Sequence, residues 1–158
     1  MPVEPIPEGY RGLMPSLAVD DAAAAIDFYK QALGATERMR MPAPDGKIGH
    51  AELEIAGSVL MLSDQFPQST TKPPKELGGT SVGIFLYVED VDAFVQRAVD
   101  AGATLTMPVD DMFWGDRYGK FSDPFGHDWN VATHTQDLSP EEIEARGREA
   151  MASMSSTG

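Results

Sequence analysis

The sequence predicts an α+β domain in which two βαβββ modules follow one another and a further helix ends the chain. One observation is the length, since 158 residues suit a single ordinary domain. Another is that a short apolar strand, an acidic helix start and a helix-ending glycine occur twice. The copies also keep a nearly constant spacing: residues 18–21 and 87–90 lie 69 positions apart, Gly34 and Gly102 lie 68 apart, and Gly46 and Gly115 again lie 69 apart. A shared element order at nearly constant spacing indicates an internal repeat.

The first module is predicted to cover residues 13–64, behind an irregular arm formed by residues 1–12. Its first strand ends at Val19, and Asp20 and Asp21 supply the oxygen atoms that suit a helix start. Gly34 is expected to end that helix. The residues expected to face the core from this helix are Ala22, Ile26, Tyr29 and Leu33. Three strands should follow, at Thr36–Met41, Ile48–Ile55 and Ser58–Ser63.

The second module is predicted to cover residues 81–135 and to repeat this order. A strand over 82–88 precedes Glu89 and Asp90, which are expected to cap a second helix that ends at Gly102. The residues expected to face the core from this helix are Val91, Phe94, Ala98 and Ala101. Three strands should follow, at Thr104–Val109, Asp116–Ser122 and His127–Thr133.

Two segments lie outside the modules. Residues 65–80 are rich in Pro, Gly, Ser and Thr, which is typical of a linker or surface loop, and the loop could also act as a lid. Residues 136–158 are predicted to form a C-terminal helix and tail. Ser139 and Glu142 have the spacing of a capping box there, and Pro140 suits the first helical position.

The composition argues against several classes of partner. The formal net charge of −13 repels phosphate backbones, which disfavours nucleic acids and anionic membranes. No apolar run reaches the roughly 18 residues that a membrane-spanning helix needs. The absence of cysteine removes disulfides and thiolate metal ligands, and it fits a cytoplasmic protein. The expected partner is a small molecule.

Four segments carry a resemblance to a known family: AAAAIDFYKQALGA (22–35), HAELEI (50–55), FWGDRYG (113–119) and DPFGHDWNVATH (123–134). Over residues 13–135 the chain resembles the vicinal oxygen chelate superfamily of glyoxalases, bleomycin-resistance proteins and dioxygenases, and within it the PhnB-like branch. The resemblance implies paired half-barrels, one from each module, that enclose one small-molecule site. It also implies a homodimer, with the half-barrels paired either within one chain or between two.

Metal-dependent members of that superfamily take one ligand from the first strand and one from the fourth strand of each module. The resemblance places Met14 and Met61 at these positions in the first module, and Gly83 and Asn130 in the second. A hard divalent ion needs carboxylate or imidazole ligands, whereas the methionine thioether suits soft ions such as Cu(I). We therefore expect no metal cofactor. The alternative is a divalent metal ion bound through other residues.

Strand alternation selects the candidate site residues. His50 and Glu52 share one face of their strand, opposite the apolar residues, and are the candidate catalytic pair, although a solvent-facing strand would show the same pattern. Aromatic rings offer stacking area and arginine offers a planar donor. The side chains expected to bind a ligand are Met61, Phe85, Tyr87, Phe113, Trp114, Arg117, Phe121 and Asn130.

The segment 112–119 supports two interpretations. Arg117, Gly119 and Phe121 should share a face, with Gly119 opposite His50 in the repeat, so that Arg117 reaches the ligand. Alternatively, Trp114 belongs to the core and Arg117 pairs with Asp116 or Asp123.

Two hypotheses of function follow. The first is a metal-free binding protein that sequesters an antibiotic or natural product by stacking, with the acidic surface suited to cationic compounds such as bleomycin. The second is an enzyme on the same scaffold, a glyoxalase-type lyase or isomerase that uses His50 and Glu52 with or without a divalent metal. A regulatory or structural role for the C-terminal helix is a third possibility.

Overall fold

Both predicted modules are present in the structure, a computed structural model that describes residues 1–156. The strands form two four-stranded sheets of the same order, β1-β4-β3-β2 in sheet 1 and β5-β8-β7-β6 in sheet 2. The predicted α+β fold with an extra C-terminal helix is confirmed, while residues 157–158 of the predicted tail lie outside the described part. The elements are β1 (Ser16–Val19), α1 (Ala22–Leu33), β2 (Thr36–Pro42), β3 (Ile48–Ile55), β4 (Ser58–Asp64), α2 (Pro74–Leu77), β5 (Gly83–Tyr87), α3 (Val91–Ala101), β6 (Thr104–Asp111), β7 (Asp116–Ser122), β8 (Asp128–His134) and α4 (Pro140–Ser155).

The two long helices of the modules begin in the same way. The carboxylates of Asp21 and Asp90 accept hydrogen bonds from backbone N–H groups three residues onward, so the second acidic residue of each pair is the N-cap. Gly34 ends α1 in the left-handed backbone conformation, with φ of 66°. The four residues expected to face the core from α1 are buried, and the four expected from α3 are buried or partly buried against that core, which Val95 also joins.

One buried cluster joins both modules. It contains residues of α1, α3 and the helix-facing side of each sheet, and α1 packs against α3. Tyr29 of α1 contacts Trp129 of β8, with ring centroids 5.6 Å apart. Because this shared core uses one face of each sheet, the other faces carry side chains that lie outside it. We call these faces open face 1, on sheet 1, and open face 2, on sheet 2.

The structure corrects the predicted register of the second module. Glu52 of β3 pairs with Met61, and Lys120 of β7 pairs with Asn130. The fourth strands are therefore related by 69 positions but the third strands by 68. Gly119 is consequently not the counterpart of His50, and Tyr118 takes that place. A one-residue change matters because it transfers every side chain of a strand to the opposite face.

The two segments outside the modules are the predicted linker and the C-terminal helix, and only the helix was predicted in full. The predicted linker contains the short helix α2, which begins after Pro73 with Pro74 at its first position. Helix α4 has the predicted capping box between Ser139 and Glu142. Gly147 of α4 lies against the ring of Phe113, where an added Cβ would approach the ring to 3.1 Å. Within residues 1–156, the helices are too short or too polar to cross a membrane.

Candidate functional site

Four aromatic rings form a continuous surface on open face 2, which we call the aromatic face: Phe85, Tyr87, Trp114 and Tyr118. Phe85 packs against Tyr87 at 5.2 Å between ring centroids and stacks on Tyr118 at 6.0 Å. Trp114 meets Tyr118 edge-on at 5.5 Å. Phe85 and Tyr87 remain 49% and 57% exposed. Contiguous exposed apolar surface of this kind marks a site of ligand or protein contact.

A cleft of about 830 Å³ adjoins the aromatic face. It runs between β1 and β5, so it lies along the boundary of the two modules. Apolar side chains that are themselves largely exposed line it, among them Leu13, Leu77, Val82 and Phe85. The cleft extends the apolar surface beyond the four rings.

Asn130 supplies a polar group within the aromatic face. Its Oδ1 accepts a 2.6 Å hydrogen bond from the Tyr118 hydroxyl. Its Nδ2 lies 2.6 Å from where a Cβ on Gly83 would stand, so the glycine leaves the space that the amide occupies. The two superfamily metal positions of the second module are therefore adjacent, but they hold an amide and no second side chain.

Asp116 orients three side chains at the edge of the aromatic face. This carboxylate is only 3% exposed. It accepts hydrogen bonds from the Tyr87 hydroxyl at 2.8 Å, the Trp114 indole at 3.0 Å and the His134 Nδ1 at 2.9 Å. The hydrogen bond that Tyr87 donates to Asp116 raises the pKa of Tyr87, so this hydroxyl stays protonated. The rings of Tyr87 and Trp114 are thereby fixed in orientation.

The candidate catalytic pair lies on open face 1, in a second hydrogen-bonded cluster. His50 Nε2 is 2.9 Å from one oxygen of the buried Glu52, and the hydroxyl of Tyr10, from the N-terminal arm, donates to the other oxygen. These two hydrogen bonds, with that of His50 the stronger influence, lower the pKa of Glu52. Arg38 lies over the Tyr10 ring, 4.8 Å from its centroid. The cluster is a carboxylate-held imidazole beside a cationic group, which suits proton transfer or polar binding.

The structure divides the predicted ligand-binding residues between several environments. Phe85, Tyr87, Trp114 and Asn130 meet on open face 2, whereas Met61 lies on open face 1, paired with Glu52. Phe113 packs edge-on against Trp114 and lies beneath α4. The predicted residues thus come together only in part.

Arg117 and Phe121 lie on the helix-covered face of β7, which corrects the expectation that they reach a ligand. Arg117 forms a bidentate ion pair with Asp92 of α3, at 2.6 and 2.9 Å. Phe121 is fully buried and stacks on Trp129. Arg117, Gly119 and Phe121 share one face of β7, as predicted. Because the third strands of the two modules are related by 68 positions rather than 69, that face points toward the core.

The site contains three residues beyond the eight side chains expected to bind a ligand. Tyr118, Asp116 and His134 all project onto open face 2. The signal that could have identified Tyr118 and Asp116 is a spacing of 68 between the third strands, which places them on the same face as Asn130.

The residues at the four superfamily metal positions do not fit a divalent ion. They offer thioethers, an amide and a glycine, and hard ions require carboxylate or imidazole ligands. Across residues 1–156 no group of three or more His, Cys, Asp or Glu side chains is close enough to hold a metal ion.

The His134 bonds predict a specific pH dependence of stability. Asp116 and, more weakly, Asp137 raise the pKa of His134 above its ordinary 6.5. The stabilisation is therefore fully present below about pH 6.5 and is lost as pH rises through the higher pKa of the folded state. Urea unfolding of the wild type between pH 6 and 8.5 should show this decrease, and His134→Gln should remove that part of it. An identical pH profile in the variant would contradict the assignment.

The comparisons with known proteins match this fold. The profile of the Glyoxalase/Bleomycin resistance protein/Dioxygenase superfamily matches residues 13–131. The uncharacterized protein Rv0887c of Mycobacterium tuberculosis is 50% identical over 136 residues, covering 84% of this chain and 80% of the relative. The crystal structure of TioX from Micromonospora sp. ML1 is similar at a TM-score of 0.63 and 28% identity, covering 78% of this chain and 98% of TioX.

The fosfomycin resistance protein FosX of Listeria monocytogenes has the same fold at 20% identity and a TM-score of 0.60, covering 84% of this chain and 97% of FosX. The match of the superfamily profile extends over most of both modules. The chain belongs to the Glyoxalase/Bleomycin resistance protein/Dioxygenase superfamily.

Proposed function

We propose that this protein binds a flat organic molecule on the aromatic face without a metal ion, and that it sequesters an antibiotic or natural product. The observation that carries the proposal is the contact between four rings on open face 2, two of which are about half exposed. Stacking on such rings captures planar ligands with little loss of side-chain entropy. The bonds of Asp116 support it, because they hold Tyr87 and Trp114 in place.

The ligand class follows from charge. With a formal net charge of −13, the protein attracts cations, and cations also bind favourably over aromatic rings. Cationic compounds such as bleomycin suit both features. The resemblance of residues 13–135 to the PhnB-like branch and the absence of cysteine are in keeping with a cytoplasmic protein of this kind.

We also propose a homodimer in which a second copy covers open face 2. Leu13 and Val82, beside the aromatic face, are 102% and 66% exposed. A single chain leaves these side chains and the four rings in water. Covering them would bury apolar surface and enclose the ligand.

The alternative function is a glyoxalase-type lyase or isomerase. It is favoured by the His50–Glu52 hydrogen bond on open face 1, which can orient the imidazole as a general base. Under this alternative, His50→Ala abolishes turnover. Under the sequestration proposal, the same substitution leaves ligand capture on open face 2 largely intact.

Calorimetric titration of the protein with bleomycin and with a panel of planar cationic antibiotics tests the proposal. We expect saturable binding in the micromolar range, about −8 kcal/mol, without added metal and unchanged by a chelator. Sedimentation analysis of the same samples should give the mass of a dimer. A panel without any binder, or binding that requires a divalent ion, would overturn the sequestration proposal, and a monomer would overturn the dimer.

A further inference from the structure

We propose that Met39, Met41 and His50 form a binding site for a soft monovalent metal ion, Cu(I), on open face 1. These three side chains lie on the β2–β3 hairpin, remote in sequence from the rings of the aromatic face. The inference does not depend on the proposed ligand-binding function.

The pairing of the hairpin brings the three side chains together. Met41 is directly opposite His50, and Met39 is directly opposite Glu52, the next residue of β3 on the same face. Opposite residues have Cβ atoms about 4.5–5.5 Å apart, and same-face neighbours along a strand are about 7 Å apart. Long, unbranched methionine side chains can therefore converge with the imidazole on one ion.

The accessibility of the donors fits a site that exchanges metal with solution. Met39 is 38% exposed and Met41 is 56% exposed, although both are large apolar residues. The side chain of His50 is 36% exposed. An ion can reach all three without rearrangement of the core.

The donor set selects the metal. Thioether sulfur is a soft ligand that favours Cu(I), and imidazole also binds copper, whereas calcium and magnesium require oxygen ligands. Two thioethers and one imidazole satisfy an ion of low coordination number. The set lacks the carboxylates that would select a hard divalent ion.

Glu52 prepares His50 for this role. The ionised carboxylate can only accept, so His50 donates through Nε2–H, and the neutral imidazole then has its lone pair on Nδ1. Within residues 1–156, Nδ1 of His50 makes no hydrogen bond. The hydroxyl of Tyr10 holds the second oxygen of Glu52. A carboxylate that fixes the tautomer of a histidine is the usual support of a metal ligand, so Glu52 is a positioning residue.

The second module provides an internal comparison. Met107 lies opposite Lys120, just as Met39 lies opposite Glu52, and each methionine follows a local irregularity in its strand. However, Tyr118, the counterpart of His50, pairs with Asp110, whereas His50 pairs with Met41. Sheet 2 therefore has one of the three donors, and Met107 is a matched control for a methionine on the same kind of strand.

Competition with the Cu(I) chelator bicinchoninate under anaerobic conditions tests the site. The wild type should remove about one Cu(I) per chain from the chelator. The double variant Met39→Leu/Met41→Leu keeps the apolar volume and should lose this binding, and Glu52→Gln should weaken it about 10–100-fold. Met107→Leu should bind as the wild type does.

No transfer of Cu(I) to the wild type would overturn the proposal. Retention of full affinity in the double variant would also overturn it, because the ion would then lie elsewhere, for example at Met14 and Met61. The double variant should bind antibiotics on the aromatic face as the wild type does. Failure of the Cu(I) proposal can therefore be distinguished from failure of the sequestration proposal. Circular dichroism of each variant tests whether it remains folded, so that loss of Cu(I) binding is not mistaken for unfolding.

Discussion

Replacing Asp123 with alanine is expected to lower the free energy of unfolding by about 3–5 kcal/mol. The carboxylate is 5% exposed and accepts hydrogen bonds from the Tyr29 hydroxyl, the Trp129 indole and the backbone N–H groups of Phe125 and His127. Alanine leaves all four donors without a partner, and each buried unsatisfied donor costs about 1–3 kcal/mol before relaxation. Urea unfolding at pH 7 measures the change.

Asp45→Ala is the control for this variant. Asp45 also accepts a backbone hydrogen bond in a turn, from Lys47, but it is exposed, so water replaces the lost carboxylate. Its expected effect is within about 0.5–1 kcal/mol. Equal destabilisation by the two substitutions would show that Asp123 does not hold α1 of the first module to the second.

Removal of two rings from the aromatic face should weaken binding of a planar cationic ligand about 10–100-fold. Phe85→Ala/Tyr118→Ala deletes the stacked pair, and each stacking or cation–π contact contributes about 0.5–2 kcal/mol. Calorimetric titration with bleomycin, or with another binder from the panel, measures the loss.

Two further variants separate ring stacking from other causes. Tyr118→Phe keeps the ring but removes the hydroxyl that donates to Asn130, so most of the affinity should remain. Phe66→Ala removes a ring in the loop between the modules, where it lies near Lys47 rather than on open face 2, and should leave the affinity unchanged. A comparable loss in Phe66→Ala would indicate a nonspecific effect.

The repeat in the sequence was sufficient to predict both modules and most of their elements. Helix starts at Asp21 and Asp90 follow from local chemistry, since a short acidic side chain can satisfy free N–H groups wherever the rest of the chain lies. The capping box of α4 is local in the same sense. The pattern of His50 and Glu52 likewise predicts their common face, which the structure shows.

Register between strands could not be predicted as well, because it depends on irregularities in the neighbouring strand. The pairing of β6 with β7 shifts twice, between Leu105 and Met107 and again between Met107 and Asp110. The face of Tyr118 depends on turn length instead. Five residues separate the paired Ser122 and Asp128, against four between Glu54 and Val59 in the first module, which gives the spacing of 68 in place of 69 and places Tyr118, rather than Arg117, on the aromatic face. Two of the three partners of Asp116, Tyr87 and His134, also come from strands distant in sequence, so no local pattern indicates them.

The fluorescence of the two tryptophans tests most directly whether the aromatic face captures the ligand. Trp114 belongs to that face, whereas Trp129 is 1% exposed in the core on the other side of sheet 2. Titration with a planar antibiotic that binds the protein should change the tryptophan emission of the wild type. The Trp114→Phe variant should still bind the antibiotic, as measured by calorimetry, but its emission should no longer change. An undiminished change in Trp114→Phe, which would then come from Trp129, would contradict capture on open face 2.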